Sequence, residues 1–197
     1  PEPEKPAPLY KNAYPVQTPA RHVAGACRKR VPQTDHTNRK TTIRKMPSIT
    51  IYTDGSSLGN PGPGGYGVVL LSGPHRKELS QGFRLTTNNR MELMGVCVAL
   101  ETLKFEGSEV VIYSDSKYVV DAVTKGWVFG WARKGFAGKK NPDLWMRFLR
   151  IYNRHRVRFV WVKGHAETVE NNRCDQLAVA AANDRSRWAE DTGYIPE

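Results

Sequence analysis

The chain has 197 residues, with 30 Lys and Arg against 19 Asp and Glu, which gives a net charge of +11. This length suits one sizeable domain, alone or with an appendage, and the positive charge favours a polyanionic partner, of which nucleic acid is the first candidate. Three cysteines without a CxxC pair argue against a disulfide framework or a zinc site, and no apolar run approaches the about 18–20 residues of a membrane span, so we expect a soluble, cytoplasmic protein.

The first 47 residues are rich in proline and in basic residues, and they show no sustained hydrophobic period. This composition predicts a disordered basic tail over residues 1–47. A second basic segment, residues 125–163, holds 11 Lys and Arg and one acidic residue. Aromatic residues lie between these charges, which favours a nucleic-acid surface over a merely solvated helix face.

Three β-rich segments open the ordered part of the chain. ITIYT (49–53) alternates, VVLL (68–71) has a similar β-rich composition, and ELSQGFRL (78–85) alternates more weakly. Three successive strands of this kind predict an antiparallel meander.

Helices and strands alternate in the rest of the chain. Residues 88–105 carry a helical stripe of apolar side chains at Leu93, Val96, Leu100 and Leu103. Further along come a strand (109–115), a short helix (116–123), a helix that starts at Asn141-Pro142, a strand (157–162) and an Ala-rich helix (171–183). Strands separated by helices predict parallel additions to a sheet. The sequence therefore predicts an α/β fold with a five-stranded mixed sheet, three antiparallel strands and then parallel ones, flanked by helices.

Four carboxylates lie at strand ends and helix starts. Asp54 ends the first strand and Asp115 the fourth, Glu92 falls in the first turn of the Leu93 helix, and Asp175 in the first turns of the last helix. Such positions converge at one edge of an open α/β sheet, where crowded carboxylates raise one another's pKa. Mg²⁺, which prefers oxygen ligands, would relieve that repulsion. Taken singly, each acid also fits a helix cap, a helix dipole or an Asx turn.

Five segments of the chain resemble type 1 ribonuclease H, in particular bacterial ribonuclease HI with its basic handle. They are TDGSSLGNPGPGGYG (53–67), TTNNRMEL (86–93), YSDSKYVVDA (113–122), NPDLW (141–145) and WVKGHAETVENNRCDQLA (161–178), in the order of the family. The resemblance implies a ribonuclease H-like catalytic domain over residues 48–184, followed by a C-terminal tail at 185–197. It also implies a monomeric endoribonuclease that hydrolyses the RNA strand of RNA–DNA hybrids.

The resemblance implies a metal-dependent mechanism. Asp54, Glu92, Asp115 and Asp175 match the family's metal ligands, and His165 matches its mobile histidine, which assists proton transfer or product release. Two Mg²⁺ ions bound with substrate, or Mn²⁺ as a substitute, would activate the attacking water and steady the leaving 3′ oxygen. The products would carry 5′-phosphate and 3′-hydroxyl ends.

Substrate contacts are implied at a further set of positions. Asn60, Asn88 and Asn89 match residues at the shallow groove of the hybrid, where amides can pair with 2′-hydroxyl groups. The same asparagines could instead serve turns and a helix N-cap. Thr87 and Asn141 match members of a pocket that grips a phosphate of the DNA strand.

The chain departs from the family pattern at two of these sites. Lys117 stands where relatives often have Gln, so a base-edge contact becomes a phosphate contact. Leu85 stands where an arginine of the phosphate pocket is common, although Arg84 is adjacent.

Residues 125–142 resemble the basic handle of bacterial relatives. Trp127 and Trp131 are four residues apart, so they share one helical face. With the neighbouring lysines this face would contact the DNA backbone, while one of the two tryptophans is expected to be a packing anchor.

Three other functions are compatible with parts of the pattern. Integrases and transposases of the DDE type place their Glu last, whereas the order here is Asp, Glu, Asp, Asp. DEDD exonucleases begin with Asp-x-Glu, whereas Gly55 and Ser56 follow Asp54. A hybrid-binding protein without catalysis would not need all four acids.

Overall fold

The computed structural model describes residues 48–164 and 168–196. Its strands are β1 (Ser48–Ser57), β2 (Gly62–Ser72), β3 (His75–Thr86), β4 (Glu109–Ser114), β5 (Arg156–Trp161) and β6 (Trp188–Ala189). Its α-helices are α1 (Asn88–Glu101), α2 (Lys117–Thr124), α3 (Trp127–Arg133), α4 (Pro142–Tyr152) and α5 (Val169–Asn183). The predicted basic tail lies outside the described residues, so its disorder stays a prediction.

The strands form one mixed sheet in the order β5-β4-β1-β2-β3-β6. β1, β2 and β3 are antiparallel neighbours, while β4 joins β1 and β5 joins β4 in parallel. The predicted α/β class, the meander and the parallel additions are therefore confirmed. The predicted count of five strands is one too low, because β6 pairs with Gly82 and Phe83 of β3 through only two residues. A strand that short shows no alternation in the sequence.

β1 does not end at the acid that we expected to end it. Its parallel pairing with β4 ends at Tyr52 and Tyr113, but its antiparallel pairing with β2 continues to Ser57. Asp54 therefore lies inside the strand, two residues beyond the last parallel pair, where β1 and β4 diverge. The β2 pairing therefore holds the Asp54 backbone, and its carboxylate is buried near Asp115, which follows β4.

Glycines let the sheet approach helices on both faces. Gly64 and Gly65 are consecutive in β2, so their missing side chains would point to opposite faces. A Cβ on Gly64 would meet Met91 of α1, whereas a Cβ on Gly65 would meet Ala181 of α5. The two helices therefore cover opposite faces, and α5 packs so closely that its backbone contacts the strand.

The larger part of the core lies on the α1 face. Trp145 and Phe148 of α4 are fully buried there, with their rings 5.8 Å apart in an edge-to-face arrangement. Asn141 and Pro142 begin α4 as predicted. Aromatic burial of this kind fixes α4 against α1 and so fixes the loop before it. Among the described residues no helix is both long and apolar enough to span a membrane.

The C-terminal segment packs on the domain. Arg90 of α1 is 2% exposed and pairs with Asp143 (2.8 Å) and with Asp191 (2.7 Å). Asp191 also accepts a hydrogen bond from the hydroxyl of Thr86 at 2.7 Å. Because a buried guanidinium is costly unless paired, the two carboxylates hold residues 188–194 on the end of β3 and α1.

Candidate active site

Three of the four predicted acids meet in one cluster. Asp54 of β1, Glu92 of α1 and Asp115, which directly follows β4, each offer an oxygen within 4.8 Å of the others. Glu92 is the fifth residue of α1 rather than in its first turn, because the helix already begins at Asn88. That extra turn carries Glu92 over the sheet, and its side chain is buried.

A glycine makes the cluster possible. Gly55 lies against the α1 backbone, and a Cβ there would come within 2.7 Å of the carbonyl carbon of Met91. The Gly55 N–H donates to Asp54 Oδ1 at 2.8 Å and orients that carboxylate. Glycine at position 55 is therefore required because it lets α1 approach β1 closely.

The electrostatics of the cluster favour bound protons or a cation. Burial raises the pKa of Asp54 to about 7, and the charges of Asp115 and Asp175 add to the rise. Burial likewise raises the pKa of Glu92 well above its ordinary value, with Asp54 and Asp115 as further causes. Glu92 Oε2 is buried and has no hydrogen-bond partner among the described residues. An all-oxygen donor set with an unpartnered buried oxygen fits a hard divalent cation.

Asp175 and His165, the other two predicted catalytic residues, are not part of this cluster of three acids in the described structure. Asp175 is the seventh residue of α5, and it is not in the group of three whose oxygens meet. Its negative charge nevertheless helps to raise the pKa of Asp54, so the two carboxylates interact electrostatically. His165 lies outside the described residues. The preceding Gly164 abuts Asp115, since a Cβ on it would be 2.7 Å from Asp115 Oδ2.

Four of the predicted substrate residues line one cavity of about 450 Å³: Asn60, Thr87, Asn89 and Asn141. Residues 193–196 of the C-terminal segment form its other wall. The Asn88 N–H donates to Asn60 Oδ1 at 3.2 Å, which ties the β1–β2 loop to the start of α1. Thr87 is the N-cap of α1, and Asn88 is the first residue of the helix.

The two handle tryptophans have different environments. Trp131 packs edge-to-face on buried Trp145 at 5.8 Å, so it is a packing anchor. Trp127 is 46% exposed, and the ammonium of Lys125 lies 4.8 Å from its ring centre. The expectation that one of the two is a packing anchor agrees with this arrangement, and the contact of the handle with DNA stays a prediction.

The two departures from the family pattern, Lys117 and Leu85, have different environments. The ammonium of Lys117 lies 5.3 Å from the ring centre of Trp161. Arg84 pairs with Glu190 at 2.8 Å on an exposed surface, and Leu85 is exposed.

Sequence reasoning missed three residues around the site. Arg90 and Asp191 were not singled out, because their pairing joins positions about a hundred residues apart. Tyr118 accepts hydrogen bonds from Asn141 Nδ2 (3.1 Å) and Trp145 Nε1 (2.9 Å), which fixes the asparagine in the cavity wall. In the segment YSDSKYVVDA it looks like an ordinary aromatic residue of a helix, and such residues usually belong to the core.

The sequence is similar to ribonucleases H from several bacteria. The sequence profile of the RNase H family matches residues 46–183. The chain is 57% identical over 152 residues to a ribonuclease H of Desulforamulus reducens, covering 75% of this chain and 93% of that protein. It is 54% identical over 140 residues to a ribonuclease HI of Synechocystis, covering 68% and 87%.

Solved structures with this fold are also similar. LC9-RNase H1, a type 1 RNase H with the type 2 active-site motif, superposes with a TM-score of 0.66 at 33% identity, covering 77% of this chain and 78% of that one. LC11-RNase H1 in complex with an RNA/DNA hybrid superposes with a TM-score of 0.52 at 28% identity, covering 68% and 96%.

Proposed function

Because the chain belongs to the ribonuclease H family, we propose that it hydrolyses the RNA strand of RNA–DNA hybrids as an endonuclease. The observation that carries the proposal is the cluster of Asp54, Glu92 and Asp115, whose oxygens lie within 4.8 Å of one another. So much buried negative charge destabilises the fold unless a cation compensates it. A binding protein would gain nothing from that cost.

The acids hold divalent cations. Asp54, Glu92 and Asp115 are the ligands in the cluster, and Asp175 adds a fourth carboxylate from α5. Mg²⁺ is the proposed ion and Mn²⁺ a substitute, because both take oxygen ligands. When bound, a pair of such ions supplies the Lewis acidity that generates the nucleophile from water and stabilises the leaving oxygen.

The chain's other residues bind and orient the hybrid. Asn60, Asn88 and Asn89 pair with 2′-hydroxyl groups and base edges, and thereby distinguish RNA from DNA. Thr87 and Asn141 hold a phosphate of the DNA strand in the cavity that they share. In this arrangement the DNA strand is anchored in the cavity while the RNA phosphodiester reaches the acids.

Protons and charge are handled by basic groups. His165 follows Gly164 and moves a proton at the leaving 3′ oxygen or aids product release, so that the products carry 5′-phosphate and 3′-hydroxyl ends. Lys117 and the handle residues Trp127 and Trp131 add affinity for the backbone, Trp131 indirectly by supporting the handle. Such contacts depend on salt and carry no sequence information.

The catalytic domain is proposed to span residues 48–184 and to act as a monomer in the cytoplasm. Cys97 and Cys174 are free, buried thiols, which fits a reducing compartment. The basic tail 1–47 adds non-specific electrostatic affinity, and a C-terminal tail at 185–197 follows the domain, on which its described part packs through Asp191.

A labelled RNA–DNA hybrid incubated with the full chain tests the function. We expect fragments of the RNA strand with Mg²⁺ and none with EDTA, and no cleavage of matched RNA–RNA or DNA–DNA duplexes. Binding of the hybrid without cleavage under any divalent ion would instead identify a binding module. Cleavage that persists in EDTA would exclude metal-dependent catalysis.

A further inference from the structure

Trp161 is a large aromatic residue that the fold leaves exposed beside the acidic cluster. It is the last residue of β5, and it is 45% exposed. Its indole Nε1–H donates to the main-chain oxygen of Asp115 at 3.0 Å. Neither feature is needed for the core, because Phe159 supplies the buried ring of this strand.

The indole hydrogen bond of Trp161 follows directly after the last hydrogen bonds between β4 and β5. The pairing of β5 with β4 ends at Trp161 opposite Ser114, and the Val162 N–H donates to the Ser114 carbonyl at 3.1 Å. The next carbonyl, that of Asp115, lies beyond the ladder and is held by the indole instead. Gly164 then abuts the Asp115 carboxylate from the same segment. Residues 161–164 therefore contact Asp115 at both its main chain and its side chain.

A cation lies over the same ring. The ammonium of Lys117 lies 5.3 Å from the ring centre, and Lys117 is the first residue of α2, two residues after Asp115. An aromatic face with an adjacent cation is the combination on which single-stranded or splayed nucleic acid stacks while its phosphates are neutralised. The pair lies next to the carboxylates that define the proposed reaction centre.

We propose that Trp161 is a positioning residue for Asp115 and that, together with Lys117, it forms a contact surface for the substrate strand next to the cleaved bond. The inference rests on the proposed function. The indole N–H fixes the backbone from which the Asp115 carboxylate projects, so it acts on the chemical step. The ring face and the ammonium act on substrate affinity.

Two substitutions separate these roles. Trp161→Phe keeps an aromatic face but removes the N–H, and we expect kcat to fall by about 3- to 10-fold, as for the loss of one hydrogen bond. The dissociation constant of the hybrid should change by less than about twofold. Trp161→Ala removes both features, so it should show the same loss in kcat and raise the dissociation constant by about 5- to 20-fold, as for the loss of a stacking contact.

The two quantities are measured under different conditions. The kcat is taken at saturating hybrid with Mg²⁺. The dissociation constant is taken by fluorescence anisotropy of a dye-labelled hybrid in EDTA, where the hybrid stays intact. Lys117→Met should raise that dissociation constant by about 2- to 5-fold, as for the loss of an exposed cation–aromatic contact.

A matched control exists at the opposite edge of the sheet. Trp188 of β6 also donates its indole N–H to a main-chain oxygen, that of Ala182 at 3.1 Å. The guanidinium of Arg185 lies 5.7 Å from its ring centre. Trp188→Phe therefore removes the same kind of bond far along the sheet order, and it should leave kcat and the dissociation constant within about twofold of the wild type.

The outcomes are distinct. A Trp161→Phe variant with the kcat of Trp188→Phe overturns the positioning role, and a Trp161→Ala variant with the wild-type dissociation constant overturns the contact role. Thermal unfolding of each variant shows whether a loss reflects misfolding, and Trp161→Phe conserves enough of the side chain to remain folded. If the wild-type chain itself fails to cleave hybrids, the proposed function fails, whatever these variants do.

Discussion

The crowded acids predict that Asp54→Asn makes the metal-free protein more stable while it abolishes cleavage. The pKa of Asp54 is raised from 3.8 to about 7, chiefly by burial. Because the folded state holds the Asp54 proton more tightly than the unfolded state, the stabilising contribution of this carboxyl is fully present below about pH 4. It is lost as the pH rises through about 7, so the free energy of unfolding falls over that range. At about 1.4 kcal/mol per pH unit, the ionised carboxylate costs up to about 4 kcal/mol at pH 8.

The amide of asparagine carries no charge, so it avoids that cost at every pH. Part of the gain is lost because an amide is still buried without all its partners, which leaves about 1–3 kcal/mol. The measurement is urea unfolding in EDTA at pH 4, 6 and 8. The stability difference between variant and wild type should be small at pH 4 and grow towards pH 8, and Mg²⁺ should stabilise the wild type more than the variant.

A surface carboxylate provides the control. Asp121 pairs with Lys125 at 2.8 Å on an exposed helix face, and Asp121→Asn should change stability by less than about 0.5 kcal/mol at each pH. The reasoning is refuted if Asp54→Asn is no more stable than the wild type at pH 8 in EDTA, or if the difference does not depend on pH. Near-normal turnover by Asp54→Asn would separately refute its role as a ligand.

The remaining predictions use other parts of the molecule. Asp191→Asn should lower the free energy of unfolding by about 1–3 kcal/mol, because it leaves the buried guanidinium of Arg90 with one charged partner fewer. Urea unfolding measures this value, and an unchanged value would mean that the C-terminal contact is not formed in solution. His165→Ala should slow turnover without eliminating it, and full activity in a steady-state assay would make the histidine a bystander. Trp127→Ala should weaken hybrid binding through loss of an exposed aromatic contact, whereas Trp131→Ala should mainly lower the melting temperature. Equal effects of the two substitutions on binding and on melting temperature would contradict the division between an exposed and a packed ring. Deletion of residues 1–45 should preserve kcat at saturating hybrid, and an inactive truncation would show that the tail has a catalytic role.

The sheet and two of the clustered acids could be predicted because their signals are local. EVVIYS is a short apolar run that predicts a strand, and the Asp115 that follows it must then lie at a strand end. The apolar stripe around Leu93 places Glu92 on the inner face of α1. Both inferences need only the periods of a strand and a helix.

Other features depend on pairings that no local pattern records. The position of Asp54 inside β1 follows from the longer antiparallel arm with β2, which the glycine-rich composition of 55–65 disguised as a turn. Strand β6 and the Arg90–Asp191 pair join segments about a hundred residues apart. Trp161 reads in sequence as a strand aromatic, and only the end of the β4–β5 ladder reveals that its ring is exposed and its N–H is used.

The central claim is that Asp54, Glu92 and Asp115 jointly hold a divalent ion, and anomalous scattering from a crystal soaked in Mn²⁺ tests it most directly. We expect a strong anomalous peak bounded by these three carboxylates and loss of that peak in Asp54→Asn. A peak elsewhere, or none at Mn²⁺ concentrations that support cleavage, would contradict it.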